Sequence, residues 1–354
     1  MLNHKLPIGE INFFDGDITK IMSWEKIFGF IQVEITAPNN LEHPILQTKL
    51  KIPEAGMRTV APLGKWTDWL FSEEIKNAMD YGYTFKFIKG YTFDKANIFK
   101  EYVEELYELK VNSSKDDPMY LIAKLLMNSL YGRFGMADDS ESHVIVDDSQ
   151  VAELHEKYEV SDAFSFDNGK SMITYQDRIE NDIMDTDNKL NISIGIAASI
   201  TAYARIVMSK FKNNSEYNLY YSDTDSIIID KPLDNKYVGK DIGLMKLENR
   251  LNEGVFIAPK VYGGILADGK EFTKVKGFKN NVKYEELKSL LDKDNNSLKL
   301  DQDKWFRSLE NGTITISNQL YTLRATENKR KLVYVDNKLI KTIPFIINSD
   351  KKIV

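Results

Sequence analysis

Cysteine is absent from the sequence, and histidine occurs only four times, at positions 4, 43, 143 and 155. The first absence excludes a disulfide framework, thiolate-held zinc, an iron–sulfur cluster and a cysteine nucleophile. The second argues against a histidine-built metal site or triad, because the four are widely scattered. No apolar run approaches the ~18 residues of a membrane span, so no membrane partner is expected. The opening run Met1-Leu-Asn-His-Lys-Leu-Pro reaches Glu10, Asp15 and Asp17 too soon for a secretory or transit signal, and the chain is not expected to be secreted. Internal repeats and low-complexity linkers are missing as well. What remains is 354 residues, 42% hydrophobic and 28% charged, the balance of a folded globular chain. Its chemistry must come from carboxylates, lysines, tyrosines and bound ions.

The formal net charge of −6 hides a polarity. Asp138 to Lys189 carries fifteen Asp/Glu against four Lys/Arg. Lys260 to Lys283 carries six Lys against two acids, and Leu320 to Val354 eight Lys/Arg against three acids. A polyanion would meet the C-terminal third, unless these runs are only solvated faces.

Residues 1–92 alternate β-rich stretches with turns at Pro38-Asn-Asn and Glu54-Ala-Gly, and a helix is expected to open at Ser72, with Glu73 and Glu74 suiting its dipole. Ala96 to Lys110 predicts an amphipathic helix through Phe99, Tyr102, Val103, Leu106 and Tyr107. Asp117-Pro118 reads as an N-cap and first-turn proline starting a second helix, which so short a connection makes an antiparallel hairpin with the first. Residues 137 to about 181 suggest a small acidic sheet. Asn191 to Lys210 reads as a helix made for close packing by Ala197, Ala198, Ala202 and Ala204. From Lys246 short strands and helices should alternate. Segregated elements of this kind suit an α+β fold better than a doubly wound sheet.

Two constellations carry chemistry. At 100° per residue, Lys124, Asn128 and Tyr131 share one face of the second helix, opposite Ile122, Leu125, Leu126, Leu130 and Phe134, which are expected to be buried. An ammonium can neutralise a triphosphate and a phenol ring can stack on a base or sugar, while Gly132 leaves room for close approach. An ordinary solvent face is the plainer alternative. Asn218 to Asp230 predicts a hairpin with Asp223 and Asp225 at its tip, where extended residues two apart would converge on one hard cation. A generic Asp-rich turn, or the Asp-x-Asp of a metal-dependent nucleotide-sugar transferase, remains open beside that reading.

Taken together, these segments resemble family B DNA polymerases of the protein-primed subgroup, found in bacteriophages and linear organellar plasmids. Lys124-Leu-Leu-Met-Asn128-Ser129-Leu-Tyr131-Gly132 resembles the fingers motif, and Tyr221-Ser-Asp223-Thr-Asp225-Ser226 the palm turn. Thr201-Ala-Tyr-Ala-Arg205 resembles the helix before that turn, Lys260-Val-Tyr262 the later Lys-x-Tyr motif, and Lys274-Val-Lys276-Gly277 the strand after it. Gly64 to Glu74 resembles the first subgroup insertion.

The resemblance implies a right-hand polymerase fold. Residues 1–95 would be the first insertion with a palm-proximal start, 96–136 a two-helix fingers hairpin, 137–185 the second insertion, 186–284 the palm and 285–354 the thumb. It also implies roles. Asp225 and Asp223 would be catalytic and metal-binding, Asp223 more as support, with Mg²⁺ as cofactor and Mn²⁺ able to replace it. Lys124, Asn128, Tyr131 and Lys110 would bind the nucleotide. Ser129, Gly132, Thr224, Ser226, Lys260, Tyr262 and Lys276 would contact DNA. The partners would be primer–template DNA, deoxynucleotides and a terminal priming protein, in a mitochondrion carrying a linear plasmid or in a viral host's cytoplasm. Family members carry another metal-binding Asp in a segment ending Tyr-Pro, and Met1 to Glu10 resembles the stretch a few residues downstream of that segment. The expectation is therefore a chain without the first palm strand or the exonuclease domain, inactive alone or completed by a separate upstream polypeptide. A catalytically silent DNA-binding remnant is the other reading.

Overall fold

The computed structural model describes residues 2–136, 141–177, 193–279, 282–294, 297–308 and 312–354. In chain order the strands and helices are β1 Leu6–Asp15, β2 Gly29–Thr36, β3 Thr48–Ile52, β4 Gly56–Val60, β5 Leu63–Phe71, α1 Ser72–Asp80, β6 Thr84–Ala96, α2 Lys100–Asn112 and α3 Pro118–Phe134. Then come β7 Ser142–Asp147, α4 Val151–Lys157, β8 Tyr158–Ser165, β9 Lys170–Asp177, α5 Ile194–Lys212, β10 Leu219–Asp223 and β11 Ser226–Ile229. The chain ends with β12 Leu251–Ala258, β13 Val261–Leu266, β14 Glu271–Val275, α6 Tyr284–Ser289, β15 Ser297–Ser308, β16 Thr313–Arg324, β17 Lys331–Val335, β18 Lys338–Ile343 and β19 Ile346–Ile347. The pairings described are antiparallel within the sheets except β5 with β19, as an α+β fold requires.

Two compact units emerge. One comprises residues 1–129, 195–302 and 320–354, and the other 130–194 and 303–319. The first unit is built on a five-stranded sheet of order β1-β6-β2-β5-β19. Strand β2 shows why it forms: Ile31, Val33 and Ile35 alternate with Phe30, Gln32 and Glu34, so one face is wholly apolar. That face is buried with Trp66, Leu70 and Ile75 beneath the β3–β4 hairpin, each large aliphatic contributing roughly 1.5–3 kcal/mol relative to exposure. Gly64 holds φ +98°, and a Cβ there would lie 2.0 Å from the Ile347 carbonyl oxygen, so only glycine lets β19 pair against β5. The second unit contains a three-stranded sheet of order β7-β9-β8 within the acidic region expected to form one, and residues 137–140 and 178–181 of that expectation lie outside the described residues.

Helix α1 opens at Ser72 as expected, and the Ser72 hydroxyl oxygen accepts the Gly29 amide at 3.1 Å, tying α1 to β2. Other expectations are amended. Residues 96–99 are not helical. Strand β6 continues through Ala96, since pairing with β1 at Leu6 satisfies its backbone, and α2 starts at Lys100. Asp117 does cap α3, accepting the Met119 amide at 2.8 Å, with Pro118 as the first helical residue. The expected apolar face of α3 is not buried: Ile122, Leu125 and Leu126 are exposed, Leu125 by 56%. A two-helix hairpin has one seam, and of α3's described side chains only the small Ala123 is fully enclosed. After residue 246 the described elements are strands apart from the six-residue α6, because β-branched and alternating segments outweigh the short helical pattern.

Helix α5 begins at Ile194, and positions 191–192 of the expected start lie outside the described residues. Among the described residues it is long and apolar enough, by length and composition, to cross a bilayer, against the expectation that no such run exists. Its neighbours explain the apolarity differently. Ala202 packs with Phe28 and Phe71, and Arg205 pairs with Glu74, so one side of α5 lies against the sheet.

Candidate active site

The acidic hairpin forms where the sequence places it. Leu219 to Asp223 and Ser226 to Ile229 are antiparallel, with Asp223 opposite Ser226. Thr224 and Asp225 are therefore the two residues of the turn. Thr224 takes φ +50°, the positive value that a two-residue hairpin turn needs to match strand twist, although it is not glycine. The turn is closed by Ser226 Oγ donating to the Asp223 carbonyl at 2.9 Å and by Thr224 Oγ1 donating to Asp223 Oδ1 at 3.2 Å. This corrects the expectation that Asp223 and Asp225 share a face as extended residues: Asp223 ends a strand, whereas Asp225 is an exposed residue within the turn.

Asp223 is engaged from another sheet. Lys260 lies in the two-residue turn between β12 and β13, and its Nζ reaches Asp223 Oδ2 at 2.5 Å. Its amide donates to Tyr221 Oη at 2.8 Å, so the backbone and the ammonium of one residue grip both ends of Tyr221–Asp223. Lys260 holds φ +62°, a conformation that costs a non-glycine residue about 1 kcal/mol or more and is retained here by both contacts. The Lys260 hydrogen bond holds the Asp223 carboxyl below its usual range against the opposing effect of burial, and the charge of Lys329 acts in the same direction. The same pairing raises the Lys260 ammonium. Burial raises the Tyr221 phenol.

Tyr262 stands on β13 with its ring 4.7 Å from that of Tyr221, and Phe256 stacks 5.8 Å from Tyr221. Lys276 joins the group through its backbone, its amide donating to the Lys260 carbonyl at 3.0 Å while Tyr321 Oη donates to its own carbonyl at 3.0 Å. Thus Asp223, Thr224, Asp225, Ser226, Lys260, Tyr262 and Lys276 form one neighbourhood.

The candidate residues of α2 and α3 take no part in these contacts. Lys124 and Asn128 are exposed on α3, and neither side chain makes a hydrogen bond or ion pair with another described residue. Ser129 Oγ donates within the helix to the Leu126 carbonyl at 3.3 Å. Lys110 closes the hairpin, its ammonium 5.9 Å from the centre of the Tyr120 ring. Tyr131 and Gly132 fall in the second unit. Tyr131 is exposed, and a Cβ on Gly132 would meet nothing within 4 Å, so the room expected there is open.

Sequence reasoning misses Lys212 and Lys329. Burial lowers the Lys212 ammonium first, and then the charges of Lys329 and Arg205, with Asp223 opposing them. Both lysines therefore bear electrostatically on the hairpin from distant chain positions, and no local pattern announces either one.

Hard oxygen donors are the right chemistry for Mg²⁺ or Mn²⁺. Asp225 offers an exposed carboxylate in the turn, while Asp223 has both oxygens engaged. Among the described residues no group of three or more His, Cys, Asp or Glu side chains could hold a metal ion. The donor set fits an ion that completes its shell with substrate phosphates, and it does not by itself supply a two-ion cage.

Residues 1–218 match the family of DNA polymerases described as type B, organellar and viral. The chain belongs to that family. Among its curated relatives is a probable DNA polymerase of Ascobolus immersus, 41% identical over 99% of this chain and 29% of the relative. Another, from Neurospora intermedia, is 40% identical over 89% of this chain and 33% of its own length. The chain thus spans about a third of these relatives' length or less. Phi29 DNA polymerase complexed with primer-template DNA superposes with a TM-score of 0.60 at 18% identity, covering 91% of this chain and 55% of that one. The same enzyme with incoming nucleotide substrates as well gives 0.62 at 16%, covering 92% and 55%. At such identities the likeness shows a shared polymerase fold.

Proposed function

We propose that the chain is the nucleotide- and primer-handling part of a DNA-directed DNA polymerase, adding deoxynucleotides to a primer 3′ end under template direction. The observation that carries this is the meeting of Lys260 with Tyr221 and Asp223, since two motifs separated by 37 positions converge on one carboxylate. Lys260, Tyr262 and Lys276 would hold the primer strand, with Ser129, Gly132, Thr224 and Ser226 also facing DNA. Lys124, with Lys110 nearby, would meet the triphosphate, and Asn128 and Tyr131 the sugar and base.

Asp225 would hold Mg²⁺, or Mn²⁺ in its place, together with the nucleotide's phosphates, and Asp223 would support it. The ion supplies neutralisation of the charge that builds on the transferring phosphoryl group. The chain's own contribution is positioning: Lys260 fixes the hairpin, and lysines align the phosphates. A terminal priming protein, and replication in a mitochondrion with a linear plasmid or in a viral host, belong to the same proposal.

Primer–template binding measured by fluorescence anisotropy tests it. Affinity should fall steeply with salt, and Lys260→Ala and Lys276→Ala should weaken it without sequence preference. Salt-insensitive binding, or a loss confined to one base context, would contradict the assignment.

A further inference from the structure

The five-stranded sheet has a second face. Opposite its apolar core, Phe13 on β1 pairs in register with Tyr91 on β6, and Tyr91 with Phe30 on β2. Gln32, two residues along, is flanked by Lys89 on β6 and Trp69 on β5. The rings form a row, with Phe13 5.3 Å from Tyr91 and Tyr91 5.8 Å from Trp69, the last two within 21° of parallel. They are exposed by 58%, 39% and 40% respectively.

Composition says what such a face takes. On β2, β5 and β6 its positions hold aromatic, Lys, Gln, Thr or Glu side chains and no aliphatic one. Lys65, Lys86 and Lys89 lie among the rings, against Glu34 and Asp15. The row also runs into a cleft of about 520 Å³, where Trp69 and Phe30 meet Lys49, Thr201 and two ion pairs, Arg205 with Glu74 and Lys351 with Asp68. Aromatic faces interleaved with cations and an amide suit unpaired bases on a phosphate backbone, because every base has a π-face and its edge can bond an amide.

We propose that this face binds single-stranded nucleic acid, with bases stacking on Phe13, Tyr91 and Trp69 and the backbone following the lysines toward the cleft. The inference rests on the chain being a DNA-handling polymerase part, and it adds a surface distinct from the acidic hairpin.

The test uses the full chain with a fluorescein-labelled oligothymidylate and, separately, a blunt-ended DNA duplex. Trp69→Ala and Tyr91→Ala should each weaken oligothymidylate binding about tenfold. Trp69→Phe, which keeps a ring, should stay within about threefold, and all three variants should bind the duplex as wild type does. Phe13→Ala, on the edge strand, gives a fourth variant that should lose affinity even if a more central substitution unfolds the sheet. Oligothymidylate affinity unchanged in the folded alanine variants overturns the proposal. So does Trp69 shielded from acrylamide in a self-associated chain that binds no single strand, since that marks a protein interface. Duplex binding without single-strand binding sinks this inference alone, whereas loss of both in the wild type sinks the polymerase reading.

Discussion

The five-stranded sheet and the α2–α3 hairpin place their apolar residues in opposite ways. The sheet encloses Ile31, Val33, Ile35 and Trp66 completely, whereas α3 leaves Ile122, Leu125 and Leu126 exposed. Burial therefore stabilises the sheet far more than α3, whose start is secured by the Asp117 cap. The same contrast separates the sheet from the acidic turn, whose Asp225 is exposed and whose Asp223 is held by Lys260 and Thr224. The regions proposed to meet a ligand carry little core, and the core carries little chemistry.

Substitution at the two extremes should break that contrast most visibly. Trp66→Ala is expected to cost about 3–5 kcal/mol in urea unfolding, and Leu125→Ala less than about 0.5 kcal/mol. Similar losses at both sites would mean that α3 is buried after all. Next comes the clamp between α5 and α1. Glu74 is only 5% exposed and accepts two bonds from Arg205, so Arg205→Ala strands a carboxylate and should cost about 3 kcal/mol. Arg205→Lys, which cannot make the paired fork, should recover only part of it.

On the hairpin side the expected change is in binding. Lys124→Ala should weaken nucleotide binding about tenfold, measured by titration calorimetry, while the unfolding midpoint stays put. A drop in stability instead would make Lys124 a structural residue. The smallest effect is the pH dependence of Asp223. Its native carboxyl lies below the ordinary value of 3.8, so the unfolded chain binds protons more readily and stability rises with pH across that window. The stability difference between wild type and Asp223→Asn should be full at neutral pH and shrink as acid carries the solution below 3.8. A difference that grows in acid would reverse the assignment.

Local signals are legible in the sequence and distant ones are not. Asp117-Pro118 announces a cap because capping is settled within three residues, and Asn218 to Asp230 announces a hairpin because apolar strands flank a polar turn. Ala96 to Phe99 misleads, since its helical period competes with β1, a partner ninety residues earlier in the chain that periodicity cannot see. The apolar stripe of α3 is real as a pattern and wrong as a sign of burial, because a pattern names a face without naming what covers it. At the site, the roles proposed for Asp223 and Lys260 come from motifs, yet their contact is a fact of tertiary structure. Lys212 and Lys329 are beyond the reach of any sequence pattern, since only folding brings their charge to the hairpin.

The central claim is that the Asp225 turn is a cation-binding element that works together with a nucleotide's phosphates. Manganese binding followed by electron paramagnetic resonance, with and without a deoxynucleotide and primer–template, tests it most directly. Affinity should rise when the nucleotide is added and collapse in Asp225→Ala. Binding indifferent to both the nucleotide and the loss of that carboxylate would contradict the account.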